Sequence, residues 1–185
     1  MRGLPPRCLP GVEAATGRQR ASPMTQAIDA GAPARLTRPE LDAMIGLLAG
    51  LTAGTVMVGC SRDEPARQAA RSVADAWEAR RGLVLDVVDW PETAASWLRQ
   101  ARRFTAHGPD AWAVIGQVGG WVSMGRRLTA STTWAAERTV ASASLADPAL
   151  ATAGCFLGLR GALRDGGTWR VSRRLLIHHP AGEAR

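Results

Sequence analysis

The stretch that decides the fold is residues 55–88, TVMVGCSRDEPARQAARSVADAWEARRGLVLDVV. It begins with a short uncharged apolar run at residues 55–59, which is typical of a strand buried on both faces. Residues 61–65 then cap a helix that reaches Arg81, with Pro65 in its first turn, where the missing N–H costs nothing. Gly82 ends this helix, and the apolar run at residues 83–88 predicts a second strand. The order strand, helix, strand predicts a right-handed βαβ unit and therefore a parallel sheet.

The helix between these two strands has a clear inner face. Its small and apolar residues recur at helical spacing, at Ala66, Ala69, Ala70, Val73 and Trp77. Such a stripe predicts that the helix packs on the sheet along this line.

The same alternation continues on both sides of this unit. Upstream, Thr37 and Glu40 form a capping box for a helix that runs to about Gly50. Downstream we expect helices that open at Pro91-Glu92, contain residues 121–128 and start at Asp147-Pro148, with strands at 111–115 and 139–145 between them. The pattern predicts a three-layer α/β fold, a parallel sheet with flanking helices, with the flavodoxin-like strand order 2-1-3-4.

Composition divides the chain into three parts. Residues 1–35 are rich in Pro, Gly, Ala, Arg and Ser, which predicts a disordered N-terminal tail. Residues 36–165 form the α/β ligand-binding-type domain, and residues 166–185 form a C-terminal hairpin and tail. In the last part, residues 168–171 and 175–178 are the expected hairpin strands.

The charge balance invites a nucleic-acid interpretation, which the composition weakens. The net charge is +7, yet all 23 basic residues are Arg, and Lys, Asn and Tyr are missing together. That pattern points to a GC-rich bacterial genome, so part of the basicity reflects codon usage. Arg is also spread along the chain without forming a block. We therefore expect no nucleic-acid partner.

Residues suited to catalysis or metal binding are sparse. Cys8, Cys60 and Cys155 form no CxxC pair, and three His residues supply no zinc-binding spacing. Cys60 follows a strand, but no His lies near it in sequence to activate the thiol, so a buried structural Cys is the favoured interpretation. We predict no catalytic residues, no metal and no cofactor, which favours binding over catalysis.

One uncharged stretch, residues 43–61, bears on localisation. It is long enough to suggest a membrane span, and residues 57–60 resemble a lipoprotein cleavage box. Its glycines and threonines, and the acidic flank before it, favour a helix, a turn and a buried strand instead. We expect a cytoplasmic chain from the absence of a clean signal peptide. The alternative is an exported protein or a lipoprotein, if the chain is a fragment or if Cys60 is the lipidated cysteine of a cleavage box. We expect contact with a membrane only if Cys60 carries a lipid.

The spacing of these elements resembles a known family. An apolar strand ends in Trp90-Pro91, the turn Gly108-Pro109-Asp110-Ala111 leads into the next strand, and residues 139–145 lead to an Asp-Pro loop and a Gly-rich return. Over about residues 54–165 this resembles the ligand-binding lobe of type I periplasmic binding proteins of the leucine/isoleucine/valine receptor type. The resemblance implies a small-molecule ligand, an amino acid or small carboxylate, and an ABC transporter as a possible partner. That family closes two lobes on its ligand and this chain has room for one, so a second lobe or a homodimer would complete the site.

Two alternatives stay open. The glycines of residues 116–120, GQVGG, faintly resemble the nucleotide-binding loop of universal stress proteins. A third hypothesis is an interaction module whose binding lobe has no ligand.

Ligands in open parallel sheets bind beyond the carboxyl ends of the strands, where the strand order reverses. For the order 2-1-3-4, this places the site between the first and third strands. The residues expected there are Ser61, Arg62, Trp90, Gln117 and Gly120. Ser61 and a helix N-terminus suit a carboxylate, Arg62 can pair with one, and Trp90 would cover the apolar part of the ligand. For Ser61, a role as the cap of the following helix is the competing interpretation.

Overall fold

A seven-stranded sheet forms the centre of the structure. The computed structural model describes residues 35–182. The strands are β1 (Thr55–Ser61), β2 (Leu83–Trp90), β3 (Ala111–Ile115), β4 (Thr139–Ala141), β5 (Arg160–Ala162), β6 (Thr168–Ser172) and β7 (Leu175–His179). Their order is β2-β1-β3-β4-β5-β6-β7. The first five strands pair in parallel and the last two add antiparallel. The predicted fold class and the order 2-1-3-4 are confirmed.

Helices cover both faces of this sheet, which makes three layers. They are α1 (Arg38–Gly50), α2 (Glu64–Glu78), α3 (Leu98–Phe104), α4 (Val118–Ser131) and α5 (Pro148–Thr152). Alternate residues of β1 face the two sides, because successive side chains of a strand point in opposite directions. Val56 and Val58 pack with α1 and α2, while Met57 packs in the core that α3, α4 and α5 cover.

Local signals place α1, α2 and α4 as the sequence predicts. The capping box is present: Thr37 accepts the amide of Glu40, and the Glu40 side chain accepts the amide of Thr37. The buried residues of α2 are the five of the predicted stripe: Ala66, Ala69, Ala70, Val73 and Trp77. The predicted inner face of α4, Trp121, Met124 and Leu128, is also buried.

Five predicted boundaries are wrong. β1 and β2 each extend two residues beyond the predicted runs at 55–59 and 83–88. The other three boundaries differ for local reasons. Asp63 caps α2, because its side chain accepts the amide of Ala66, and α2 ends at Glu78 rather than Arg81. The helix expected to open at Pro91-Glu92 begins at Leu98, because Glu92 turns into the crevice described below. The fourth strand ends at Ala141, and a 3-10 turn at Ala143–Leu145 replaces its second half.

The structure describes the predicted C-terminal hairpin but almost none of the predicted N-terminal tail. The predicted tail lies outside the described residues, apart from Arg35. The expected C-terminal hairpin is present as β6 and β7. The predicted boundary after residue 165 falls between β5 and β6, which are hydrogen-bonded neighbours in one sheet.

The uncharged stretch at residues 43–61 forms the end of α1, a turn and β1. Within residues 35–182, no helix is both long enough and apolar enough to cross a membrane. Cleavage before Cys60 would remove α1 and most of β1, the strand that lies between β2 and β3.

Candidate functional site

The crevice lies where β1 and β3, adjacent parallel strands, end side by side. β1 leads to α2 and β3 leads to α4, so the strand order reverses at this point. Ser61 is the last residue of β1, and Gly116 and Gln117 directly follow β3. The carboxyl edge of the sheet therefore brings the predicted loops together.

Ser61 is fully buried and makes two hydrogen bonds across this crevice. Its Oγ donates to Oε1 of Glu92 at 2.5 Å and accepts the amide of Gln117 at 2.9 Å. The side chain thus links the loops after β2 and β3. It does not cap α2, which uses Asp63 instead.

Glu92 is a residue of the crevice that the sequence pattern did not reveal. Its carboxylate spans the crevice: Oε1 accepts the Ser61 hydroxyl, and Oε2 accepts the amide of Gly120 at 2.7 Å. Gly120 lies in the first turn of α4, where backbone amides are free to bind anions. We call this hydrogen-bonded group, Ser61, Glu92, Gln117 and Gly120, the clasp.

Two glycines permit the close approach of the clasp. A Cβ at Gly120 would lie 2.5 Å from Oε2 of Glu92, and a Cβ at Gly116 would lie 2.3 Å from Oγ of Ser61. Real Cβ atoms essentially never approach other atoms so closely. The geometry therefore needs glycine at both positions.

Two of the five predicted site residues adjoin the crevice in the chain or the sheet, but their side chains are not part of the clasp. Arg62 is exposed, and its guanidinium binds Asp89 at 3.0 Å, as does that of Arg67. Burial raises the pKa of Asp89, but hydrogen bonds from Arg67 and Arg62 outweigh it, and the pKa is lowered overall. Arg62 is thus already paired with a carboxylate of its own chain.

Trp90, which was expected to cover the apolar part of a ligand, does not lie at the rim of the crevice in this structure. Trp90 is fully buried and packs against Phe104 and Trp121 at ring-centroid distances of 6.0 and 5.5 Å. Gly59 leaves room for it, since a Cβ there would lie 2.6 Å from both Trp90 and Phe104. The indole belongs to the core in this conformation.

Further polar groups continue the site towards β4. Ser144 donates to the carbonyl of Gly116 at 2.9 Å, and its hydroxyl lies 2.8 Å from that of Ser142. These contacts fix the loop between β3 and α4, which carries the amides of Gln117 and Gly120.

Cys60 precedes Ser61 and lies on the opposite face of β1. It is fully buried, and burial is the main reason that the pKa of its thiol is raised to about 12. A thiol in this state is a poor nucleophile. In the described part of the chain no group of three His, Cys, Asp or Glu residues could hold a metal ion.

A separate cavity of about 1090 Å³ lies away from the clasp. It is open, and residues of β5, β6 and β7 line it, with Leu47 of α1 at one side. Leu157 and Leu175 are more than 60% exposed near this end of the sheet.

Within the clasp, the hydroxyl of Ser61 and the amide of Gly120 at the N-terminus of α4 both donate to one carboxylate. This donor set recognises a carboxylate by charge-assisted hydrogen bonds. In this structure the carboxylate is that of Glu92.

Comparisons with known proteins show the fold. No protein-family model matches the sequence. No curated protein matches it either. Among solved structures, a branched-chain amino acid ABC transporter periplasmic ligand-binding protein from Burkholderia xenovorans LB400 has a TM-score of 0.55 and 9% identity, over 71% of this chain and 36% of that chain.

Two further structures agree with this result. A periplasmic binding protein type 1 from Bordetella pertussis Tohama I has a TM-score of 0.55 and 16% identity, over 70% of this chain and 35% of that chain. An ABC transporter substrate-binding protein from Sphaerobacter thermophilus has a TM-score of 0.52 and 13% identity, over 69% and 37%. This chain spans just over a third of each of these proteins. The resemblance seen in the sequence is confirmed at the level of fold: the structural neighbours of this chain are type I periplasmic binding proteins.

Proposed function

We propose that this chain is a non-catalytic small-molecule-binding domain, equivalent to one lobe of an ABC-transporter substrate-binding protein, with an amino acid or small carboxylate as its ligand. The observation that carries the proposal is the clasp. Ser61 Oγ and the Gly120 amide bind a carboxylate at the switch point of the sheet, where ligands bind in folds of this kind.

The ligand-contacting residues of this proposal are Ser61, Gln117 and Gly120. Arg62 and Trp90 would join them only after rearrangement, since Arg62 pairs with Asp89 and Trp90 is buried. A single lobe covers one side of a ligand, so we expect a dissociation constant of about micromolar to millimolar. A second lobe or a second copy of this chain would tighten binding, and a transporter is the partner that the neighbours suggest.

A nucleotide at the loop of residues 116–120 is less well supported. Any anion at Gly120, phosphate or carboxylate, would have to displace the Glu92 carboxylate, and the pair of donors there holds a carboxylate in this structure. The interaction-module alternative has one supporting observation, the exposed Leu157 and Leu175 at the β5–β7 end of the sheet.

The test is an NMR titration of the isotope-labelled full chain with amino acids, small carboxylates and ATP. The proposal expects saturable shifts at residues 60–63, 90–92 and 116–121 with a carboxylate-containing ligand. Shifts confined to residues 116–121 with ATP alone would support the nucleotide alternative. No shifts with any compound at millimolar concentration would contradict both.

A further inference from the structure

We infer that Glu92 is an internal ligand of the crevice, and that the natural ligand is a carboxylate carried on an aromatic body which displaces it. The segment that moves is residues 91–97, which we call the strap. This inference rests on the proposed function, because it concerns the same crevice and names its ligand class.

Two kinds of contact hold the strap on the domain: the hydrogen bonds of the Glu92 carboxylate and the packing of Trp97 against the core. It forms neither helix nor strand, and Thr93, Ala95 and Ser96 are exposed. Among the described residues, the hydrogen bonds that join residues 91–96 to elements outside the strap and α3 are both made by the Glu92 carboxylate. The indole of Trp97 donates to the carbonyl of Pro91 at 3.1 Å, which braces the strap internally. Release of the Glu92 carboxylate would therefore remove every hydrogen bond that holds residues 91–96 across the crevice, and Trp97 would remain as the packing contact of the strap.

The carboxylate itself has no cationic partner nearby. No Arg or His of the described residues lies within 4.0 Å of Glu92, in contrast to Asp86 and Asp89, which pair with arginines. Two neutral donors hold Glu92, so an incoming carboxylate can make the same two hydrogen bonds in its place. The exchange of one carboxylate for another then costs little beyond the movement of the strap.

Several buried tryptophans near the clasp have an indole N–H that donates to no acceptor. Trp90 precedes the strap and Trp121 follows Gly120, and both side chains are fully buried. Their Nε1 atoms are buried without a hydrogen-bond partner, as is that of Trp134, which packs on Trp121 with ring centroids 5.8 Å apart. Buried indole N–H groups usually find an acceptor, so three orphans in one cluster call for an explanation.

These observations together define the ligand class. Ser61 and the Gly120 amide take the carboxylate. Trp90 and Trp121 are fully buried in the core against which Trp97 packs, so ring surface for stacking would become available only when the strap, including Trp97, moves away. A ring that carries an oxygen acceptor would also satisfy an indole N–H. A hydroxybenzoate combines all three features, whereas acetate brings only the carboxylate.

The experiment compares wild type with Glu92→Ala, and uses Glu78→Ala as a matched control. Glu78 is an exposed glutamate at the end of α2 with no ion pair among the described residues. Each protein is titrated with 4-hydroxybenzoate, acetate and 4-hydroxybenzyl alcohol. The Gly120 amide and the Trp90 and Trp121 indole N–H signals are followed by NMR.

We expect Glu92→Ala to bind 4-hydroxybenzoate about tenfold more tightly than wild type. This factor corresponds to a wild type in which the Glu92 carboxylate occupies the crevice in about nine protein molecules out of ten. Acetate should bind less tightly and leave the indole signals unmoved, and the alcohol should not bind. Glu78→Ala should behave as wild type. Glu92→Gln, which keeps the shape without the charge, replaces Glu92→Ala if that variant fails to fold.

Equal affinities of wild type and the Glu92 variant would overturn the internal-ligand inference while leaving the proposed function intact. Equal affinities of the variant for acetate and 4-hydroxybenzoate would overturn the aromatic ligand class. Failure of every carboxylate to shift the clasp, in both wild type and variant, would overturn the proposed function as well.

Discussion

The carboxylate of Glu92 and the amide of Gly120 are joined by a hydrogen bond of 2.7 Å across the crevice. This contact brings the loop after β2 to the N-terminus of α4. A glycine at 120 allows it, because any Cβ there would overlap the carboxylate. The same contact stabilises α4, whose N-cap residue Gln117 makes no side-chain capping bond.

Adjacent glycines of α4 test this relationship directly. Gly120→Ala should displace the Glu92 carboxylate, because its Cβ would lie 2.5 Å from Oε2. Loss of a hydrogen bond to a charged group costs about 1–3 kcal/mol. Gly119→Ala has nothing within 4 Å of the new Cβ and should gain up to about 1 kcal/mol from helix propensity.

Urea unfolding of the two variants gives the comparison. Gly120→Ala should have the lower free energy of unfolding of the pair. Equal free energies would mean that the Glu92 contact contributes nothing measurable to the domain.

The fold was largely predictable because its signals are local. The stripe of α2 and the capping box at Thr37 and Glu40 depend on spacing within one element, and both are present. The strand order followed from βαβ handedness and the resemblance. The fourth strand was predicted too long, because the apolar run after Ala141 continues as a 3-10 turn that the sequence does not distinguish from a strand.

The meeting of the loops after β1 and β3 was predictable, but the contact that Glu92 makes with them was not. Ser61, Gln117 and Gly120 follow strands and meet at one edge, as expected. Glu92 was assigned to a helix start, where acidic residues are common. One signal was present: Glu92 is the only acidic residue between positions 90 and 109. Its reach across two strand ends is a long-range contact that no local pattern encodes.

The inner face of α2 makes a stability prediction. Val73 is fully buried between α2 and the sheet, while Ser72 beside it is exposed. Val73→Asp buries an unpaired carboxylate, which costs several kcal/mol, a large share of the stability of a domain. Ser72→Asp places the same group in water and should change stability by less than about 0.5 kcal/mol. Thermal melts should separate the two variants clearly, and similar melting temperatures would refute the assignment of this face.

Glu40 makes a pH-dependent prediction. It is 2% exposed, and burial raises its pKa above the ordinary value, against the lowering effects of the Ala143 and Thr37 amides and Arg164. The folded state therefore binds the proton more tightly than the unfolded state. The stabilisation from this group is fully present below the unfolded pKa of about 4.3 and is lost as pH rises through the folded pKa.

Glu40→Gln removes this titration and keeps a hydrogen-bonding side chain in the capping box. The stability of wild type relative to Glu40→Gln should fall as pH rises from about 4 to 7. Denaturant unfolding at several pH values measures the difference. If the difference in unfolding free energy between the two proteins stays constant with pH, the pKa of Glu40 is the same in the folded and unfolded states. If the difference rises with pH, folding lowers the pKa of Glu40 instead of raising it.

The last prediction concerns the accessibility of the β1 strand at Cys60. The Cys60 side chain is fully buried and the pKa of its thiol is raised to about 12 by burial, whereas Cys155 is only partly buried. In the variants Cys8→Ser/Cys155→Ser and Cys8→Ser/Cys60→Ser, one thiol remains in each. At pH 8, we expect Cys60 to react with a thiol reagent about a hundredfold more slowly than Cys155, because the reaction requires local opening of β1, which is paired on both sides by β2 and β3. Denaturant should abolish the difference, which controls for intrinsic reactivity. Rapid labelling of Cys60 in the folded protein would place it outside the core and would favour the lipid-attachment interpretation of residues 57–60.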